Sequence, residues 1–166
     1  MINKGIGGNT SAQGFDRFCD DVLPHLPGLL LVEFGFNDAN VKDWSIEPRV
    51  SLDEFVRNLR EFHRIARANN SNCVFILNHT IDDVDGLQGN RLTYNENLLP
   101  YDNAVIELAD ALGTRKIDLP RMMAARGLNL DEFLSDDNLH LSETGNKYYA
   151  QMVFDAIMAN NFYQYC

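Results

Sequence analysis

Residues 29–38 are Leu-Leu-Leu-Val-Glu-Phe-Gly-Phe-Asn-Asp, and they carry the clearest sequence signal of the fold class. Residues 29–34 form a short, nearly continuous apolar run, which is typical of a strand buried on both faces of a parallel sheet. Residues 35–38 follow that strand directly as a turn. In open α/β sheets, ligands bind beyond the carboxyl ends of the strands. We therefore expect a parallel sheet with functional residues in this turn.

Two further apolar runs predict two more strands. Residues 73–77 read Cys-Val-Phe-Ile-Leu, and a weaker run covers residues 116–119. Amphipathic stretches alternate with these runs, which indicates the α/β class. Because crossovers between parallel strands are right-handed, the alternation predicts a layered sheet with helices on both faces. A chain of 166 residues has room for a single domain, which we take as residues 1–166.

Cap and turn residues predict the ends of two long helices. Ser51 with Glu54 matches a capping box, which opens a helix that is expected to end near Asn69. Pro100 suits the first turn of the next helix, and Gly113 suits its end.

Two other helices are expected, one near each end of the chain. Thr10 opens the first, and Ser142 caps the last. Helical spacing predicts that these residues face inward: Phe15, Phe18, Cys19 and Val22 in the first helix, and Tyr149, Met152, Val153, Ala156 and Ile157 in the last.

The composition excludes several classes of protein. The chain is 45% hydrophobic and 23% charged, as in ordinary globular proteins, and no apolar run approaches the roughly 20 residues that cross a bilayer. A net charge of −10 with scattered Lys and Arg residues argues against a nucleic-acid partner. No signal-peptide pattern follows Met1, so the expected compartment is the cytoplasm, unless a targeting segment precedes this residue.

Neither a cofactor nor a metal is expected. The cysteines lack the spacing of zinc ligands and indicate free thiols. They are Cys19, Cys73 and Cys166. Asp82, Asp83 and Asp85 lie close together, but the calcium-loop pattern with its closing Glu does not occur, which favours a solvated acidic loop.

Three short motifs follow one another along the chain. Residues 3–10 read Asn-Lys-Gly-Ile-Gly-Gly-Asn-Thr, residues 35–38 read Gly-Phe-Asn-Asp, and residues 137–140 read Asp-Asn-Leu-His. Taken singly, each has an ordinary structural interpretation. Residues 3–10 would be a glycine-rich turn before a helix, residues 35–38 a tight turn after a strand, and residues 137–140 a solvated polar loop.

Taken together and in order, the motifs resemble those of the SGNH (GDSL-type) hydrolase family, whose blocks contain GDS, N-x-G-x-x-G-x-T, GxND and DxxH. The resemblance covers the chain from Asn3 to about Ala150. It implies a three-layer α/β/α flavodoxin-like parallel sheet and a serine ester hydrolase that works through an acyl-enzyme. The implied partner is a small-molecule ester or an acylated carbohydrate.

The same resemblance implies a role for four residues. His140 would be the general base and Asp137 would orient its imidazole, because a serine hydroxyl attacks well only when a base takes its proton. Gly8, through its backbone N–H, and Asn37, through its side-chain amide, would donate hydrogen bonds to the oxyanion.

Further candidates for contact with substrate lie near these motifs. They are Asn9, Asp38 and His79. The alternative for His79 is a loop histidine whose polar atoms water satisfies. Aromatic candidates for a pocket wall, or alternatively for partial core, are Trp44, Tyr94 and Tyr101.

The GDS block of the family does not occur in the sequence. Relatives place it on a strand upstream of the segment that matches residues 3–10. The sheet is therefore expected to lack its first strand, and the chain to be N-terminally truncated relative to the family. The serines suit helix caps or polar loops, and Ser11, close to Gly8, is the nearest substitute although helix capping is the favoured interpretation.

Two explanations of this departure stay open. Either Met1 is an internal methionine of a longer reading frame, or the strand comes from another protein or from a second copy of the chain, in a homo-oligomer or by strand exchange.

Without the serine, the chain as written is expected to be inactive. The alternative function is a non-catalytic relative that binds a carbohydrate or acyl ligand. A phosphate or nucleotide binder ranks last, because no Walker lysine follows the glycine-rich turn.

Overall fold

The structure is a computed structural model that describes residues 1–82 and 86–162. Its sheet consists of three parallel strands in the order β1-β2-β3. These strands are β1 (Leu29–Val32), β2 (Asn72–Ile76) and β3 (Arg115–Ile117). In the register of the sheet, Leu31 lies opposite Val74, and Ile76 lies opposite Ile117. The predicted parallel sheet is confirmed.

Eight α-helices surround the sheet in the described part of the chain. They are α1 (Ser11–Asp16), α2 (Phe18–Asp21), α3 (Phe36–Ala39), α4 (Leu52–Ala68), α5 (Tyr94–Leu112), α6 (Leu119–Arg126), α7 (Leu130–Phe133) and α8 (Glu143–Ala159). A 3-10 turn at Leu23–His25 leads into β1.

The core has two parts, one on each face of the sheet. Along β2, Phe75 packs with α4 and α5 in one cluster, whereas Val74 and Ile76 pack with α6 and α8 in the other. This alternation is the period of two expected of a strand buried on both sides. The arrangement has helices on both faces of a parallel sheet, and its three strands correspond to part of a flavodoxin-like fold.

Side-chain caps begin three of the helices where the sequence predicts them. Thr10 accepts a hydrogen bond from the N–H of Gln13, Ser51 accepts one from Glu54, and Ser142 accepts one from Gly145. On α8, Met152 and Ala156 are buried, and the other predicted residues pack against the same cluster.

Other predicted boundaries are wrong for local reasons. Pro100 lies inside α5 rather than in its first turn, because Thr93 and Glu96 form a capping box that begins the helix earlier. Leu119 belongs to α6 rather than to β3, since the side chain of Asp118 caps that helix. The first helix breaks at Arg17 into α1 and α2, and the break leaves Cys19 exposed rather than buried.

Candidate active site

The Asp-Asn-Leu-His motif forms a tight turn that joins Asp137 to His140. The Oδ2 atom of Asp137 lies 2.6 Å from Nδ1 of His140. Because a carboxylate only accepts hydrogen bonds, Nδ1 carries the proton and Nε2 is the basic nitrogen. The imidazole is exposed, with 75% of its side-chain surface accessible. With the proton of Nδ1 held by Asp137, Nε2 is the ring nitrogen that can take a proton from a neighbouring group.

Asp137 is organised by the turn itself. Its Oδ1 atom accepts hydrogen bonds from the backbone N–H groups of His140 (2.8 Å) and Leu139 (3.0 Å) and from the hydroxyl of Ser135 (2.9 Å). The bond with the His140 side chain, followed by these backbone bonds, holds the pKa of Asp137 far below its usual value. The carboxylate is therefore charged and can stabilise an imidazolium.

The Gly35-Phe36-Asn37-Asp38 turn is shaped by its first residue. Gly35 has φ 135°, and a Cβ added there would lie 2.4 Å from Nδ2 of Asn78. That amide nitrogen donates hydrogen bonds to the carbonyl of Phe34 (3.3 Å) and to Oδ1 of Asp102 (3.0 Å). The close approach of Asn78 thus requires glycine at position 35. The turn that Gly35 begins places Asn37 in α3, shortly after the end of β1.

Asp38 lies in the interior, and not on a surface that a substrate would meet. It is fully buried, and its carboxylate accepts hydrogen bonds from the hydroxyl (2.6 Å) and the backbone N–H (2.9 Å) of Ser11. Burial raises the pKa of Asp38, and the bonds with Ser11 partly offset that rise. The bonds fasten α1 to α3. They hold the turn that contains Gly8 beside the turn that contains Asn37.

Gly8 and Asn9 occupy the turn that enters α1. Gly8 is exposed with φ 80°, and its N–H has no hydrogen-bond acceptor among the described residues. It is therefore open to an external acceptor, as an oxyanion donor must be. Asn9 is half-buried, and its Oδ1 accepts a hydrogen bond from Nε of Arg17 at 3.2 Å. Contact between Asn9 and substrate stays a prediction.

His79 connects the Asn37 turn with the His140 turn. It is 8% exposed, and its ring packs against Phe36 with 4.9 Å between centroids. Its Nε2 lies 2.9 Å from the carbonyl oxygen of Leu139, so Nε2 carries the proton. Burial lowers the pKa of His79, which favours this neutral form. The histidine is thus enclosed between two motif loops, and its contact with substrate stays a prediction.

A groove of about 400 Å³ lies beside the Asn37 turn. Trp44 and Tyr94 line it, and the Tyr94 hydroxyl donates a hydrogen bond to the carbonyl of Phe36 at 2.7 Å. Trp44 is 85% exposed, whereas Tyr94 and Tyr101 are buried in the core. Of the three aromatic candidates for a pocket wall, Trp44 is the one with most of its surface available.

All six serines of the sequence are described, and each hydroxyl makes a hydrogen bond within the fold. Ser11 is fully buried against Asp38, and Nδ2 of Asn58 donates to its Oγ at 3.0 Å. It does not cap α1, since Thr10 fills that position. The burial of Ser11 excludes it as the attacking group in this structure.

The described residues also limit other kinds of site. They contain no group of three or more His, Cys, Asp or Glu side chains arranged to hold a metal ion. None of the helices within residues 1–82 and 86–162 combines the length and apolar character needed to cross a bilayer. Asp83 and Asp85 of the acidic loop, and Cys166, lie outside the described residues.

Known proteins resemble this chain in sequence. It is 28% identical over 168 residues to the isoamyl acetate-hydrolyzing esterase 1 homolog of Bos taurus, a match that covers 89% of this chain and 64% of the relative. The protein of that name from Mus musculus matches equally well. The chain thus spans less than two thirds of the length of these curated relatives.

Solved structures share the fold. A lipase/acylhydrolase from Enterococcus faecalis superposes with a TM-score of 0.77 at 24% identity, covering 96% of this chain and 75% of that one. The acetyl xylan esterase AlAXEase gives a TM-score of 0.74 at 23% identity over 92% of this chain and 78% of that one. At such identities the likeness concerns the fold alone.

A family model also matches most of the chain. The model of the GDSL-like Lipase/Acylhydrolase family matches residues 1–148, which hold all three motifs. The match confirms the resemblance drawn from those motifs, and the chain belongs to the GDSL-like lipase/acylhydrolase family.

Proposed function

We propose that this chain supplies the base and the oxyanion donors of an ester hydrolase, and that the attacking serine lies outside these 166 residues. The observation that carries the proposal is the contact of 2.6 Å between Asp137 and Nδ1 of His140, which leaves an exposed imidazole with a basic Nε2. Family membership and the name of the Bos taurus relative support ester hydrolysis as the reaction.

The proposed reaction proceeds in two stages. The serine oxygen attacks the ester carbonyl carbon as Nε2 of His140 takes the hydroxyl proton, and Asp137 stabilises the resulting imidazolium. The alcohol leaves with that proton, and an acyl-enzyme remains. Water then attacks the acyl carbon with His140 again acting as base, which releases the acid and restores the serine.

Negative charge develops on the carbonyl oxygen in both stages. The N–H of Gly8 and the amide of Asn37 would donate hydrogen bonds to that oxygen. Removing one such donor costs about 10²-fold to 10³-fold in kcat in acyl-transfer enzymes. The two turns that hold these donors are joined through Ser11 and Asp38, which supports their acting together.

The substrate that we propose is a small ester of a short acid or an acylated carbohydrate. The relative's name refers to isoamyl acetate, whose acyl group is short. The groove beside the Asn37 turn, with the exposed indole of Trp44, would take the apolar part of such a molecule. Pocket shape decides substrate choice within a fold of this kind.

The test uses the natural protein that contains this chain. We expect it to react with a fluorophosphonate probe and to hydrolyse p-nitrophenyl acetate. The His140→Ala variant is expected to lose about 10²-fold to 10⁴-fold of the rate, as general bases commonly contribute. His25→Ala is the matched control, because His25 is exposed on a distant turn. Full labelling and hydrolysis by the His140→Ala variant would contradict the proposal.

A second candidate function is a non-catalytic module that binds a carbohydrate or acyl ligand. The observation that favours it is the structural hydrogen bond made by each of the six serine hydroxyls. Thermal shifts with acetylated sugars and simple esters separate the two functions. Binding without any turnover in the natural protein supports the module, and turnover supports the hydrolase.

A further inference from the structure

Arg49 contacts both turns that hold the oxyanion donors. Its Nη1 donates a hydrogen bond to Oδ1 of Asn37 at 3.1 Å, and its Nη2 donates one to the carbonyl of Gly8 at 3.1 Å. Nη2 also lies 3.5 Å from Oε1 of Gln13 in α1. One guanidinium therefore bridges segments that are 41 and 12 residues away from it along the chain.

The backbone around Arg49 is held against the end of α3. The N–H of Arg49 donates to the carbonyl of Asn40 at 3.0 Å, and the N–H of Val50 donates to the carbonyl of Asp38 at 3.2 Å. The hydroxyl of Tyr101 donates to the carbonyl of Val50. These bonds place Arg49 beside Asn37 independently of its own side chain.

The contact determines which way the Asn37 amide faces. An arginine side chain has donors only, whereas an asparagine side chain has one oxygen acceptor and an NH₂ donor. Arg49 can therefore pair only with the oxygen of Asn37, which directs the NH₂ group elsewhere. An oxyanion donor must present this NH₂ group, and a free amide could rotate to present its oxygen instead.

We propose that Arg49 is a positioning residue that orients the Asn37 amide and holds the Gly8 turn against it. This inference rests on the proposed ester hydrolysis for its effect on rate. The planar guanidinium donates to two acceptors at once, Oδ1 of Asn37 and the carbonyl of Gly8. A lysine ammonium at the same position is a single point charge and cannot reproduce this paired geometry. Arg49 makes no ion pair with the described carboxylates, so its positive charge also faces the turns.

Kinetics of the natural protein that contains this chain separate positioning from charge. We expect Arg49→Met to lower kcat for p-nitrophenyl acetate by about 10-fold to 100-fold, part of the loss seen when an oxyanion donor is removed, with a smaller change in KM. Arg49→Lys is expected to stay impaired, and guanidinium ion is expected to restore activity to Arg49→Ala where ammonium does not. Full activity of Arg49→Lys would assign the effect to charge alone and overturn the positioning role.

The matched control is Arg57→Met, since Arg57 is an exposed arginine on α4. It is expected to leave kcat unchanged. Unfolding temperatures of all variants identify any that fail to fold.

A second measurement does not depend on turnover. The ¹⁵N order parameter of the Asn37 side-chain amide, assigned by its disappearance in Asn37→Ala, is expected to fall in Arg49→Met and to stay unchanged in Arg57→Met. If the order parameter falls while the wild-type protein hydrolyses no ester, the proposed function fails and the positioning role stands. An order parameter that does not change in Arg49→Met overturns the inference.

Discussion

The two halves of the candidate site are built in different ways. The base half, Asp137 and His140, lies within a single four-residue turn, and 52% and 75% of the two side chains are exposed. The oxyanion half, Gly8 and Asn37, is held by contacts between distant segments, such as the bond from Ser11 to Asp38 across 27 residues. The base half should therefore tolerate changes in the surrounding packing, whereas the oxyanion half should depend on them. Three predictions test this contrast, and a fourth concerns a buried group outside both halves.

The largest expected effect is on catalysis in the base half. In the natural protein, Asp137→Asn would place an amide NH₂ beside Nδ1 of His140 and so favour the wrong tautomer, which costs about 10⁴-fold in kcat in triad enzymes. Esterase assays measure this loss, and urea denaturation is expected to show a small change in stability. Asp136→Asn is the control, because Asp136 is the preceding residue along the chain and is exposed. A large loss of stability in Asp137→Asn would remove the contrast between the halves.

The next effect is on folding in the oxyanion half. Asp38→Ala leaves the N–H and hydroxyl of Ser11 without their acceptor in the interior, so the free energy of unfolding should fall by about 2–4 kcal/mol. Urea denaturation measures the change, with the exposed Asp136→Ala as the comparison. If Asp38→Ala and Asp136→Ala are equally stable, the hydrogen bonds between Ser11 and Asp38 contribute nothing to the free energy of unfolding.

A third variant acts on the shape of the Asn37 turn. Gly35→Ala places a Cβ 2.4 Å from Nδ2 of Asn78 and puts a side chain at φ 135°, so we expect a loss of about 1–3 kcal/mol in unfolding free energy. The matched change is Gly28→Ala, whose Cβ would find its nearest neighbour at 3.9 Å, an ordinary contact. Denaturation curves that coincide for these two variants would show that the turn is not constrained by Asn78.

The fourth prediction concerns a pH dependence outside both halves. Glu33 follows β1, and burial raises its pKa to about 7, although a hydrogen bond donated by the hydroxyl of Tyr149 opposes the rise. The folded chain thus keeps a proton that the unfolded chain releases between pH 4.5 and about 7. In that window this group makes the protein less stable as the pH rises.

Glu33→Gln should remove that loss, because its amide oxygen still accepts from Tyr149 without a charge to bury. The drop in unfolding free energy between pH 5 and pH 8 should then shrink by on the order of 2 kcal/mol. Glu107→Gln, at an exposed position on α5, serves as the control. If the unfolding free energy falls as much between pH 5 and pH 8 in Glu33→Gln as in the wild type, ionisation of Glu33 does not destabilise the folded chain.

The predictions made from sequence succeed where the physics is local. Thr10, Ser51 and Ser142 cap helices through bonds to residues three positions away. The error at Pro100 is also local, because Thr93 and Glu96 carry a stronger signal for the start of α5 than the proline does.

Burial is what those predictions miss. Asp38 and His79 are polar residues that follow strands, and the sequence suggests that both are exposed. In the structure both are buried. Asp38 lies against Ser11 of α1, and His79 lies between Phe36 and Leu139. Arg49 has no sequence signal at all. It stands between Pro48 and Val50 in a loop, and only its contacts with Gly8 and Asn37 distinguish it from other exposed arginines.

Short-range patterns were enough to predict the parallel strands and the helix caps, because apolar runs and capping bonds act over short separations. The pairing of Asp137 with His140 came from the resemblance of three motifs to the family, and the two residues lie within one four-residue turn. The folded structure was needed to reveal the hydrogen bonds of Ser11 with Asp38, the contacts of His79 with two loops, and the contacts of Arg49 with both donor turns. Those contacts join residues that are far apart in the chain, and the packing of helices on the sheet brings them together.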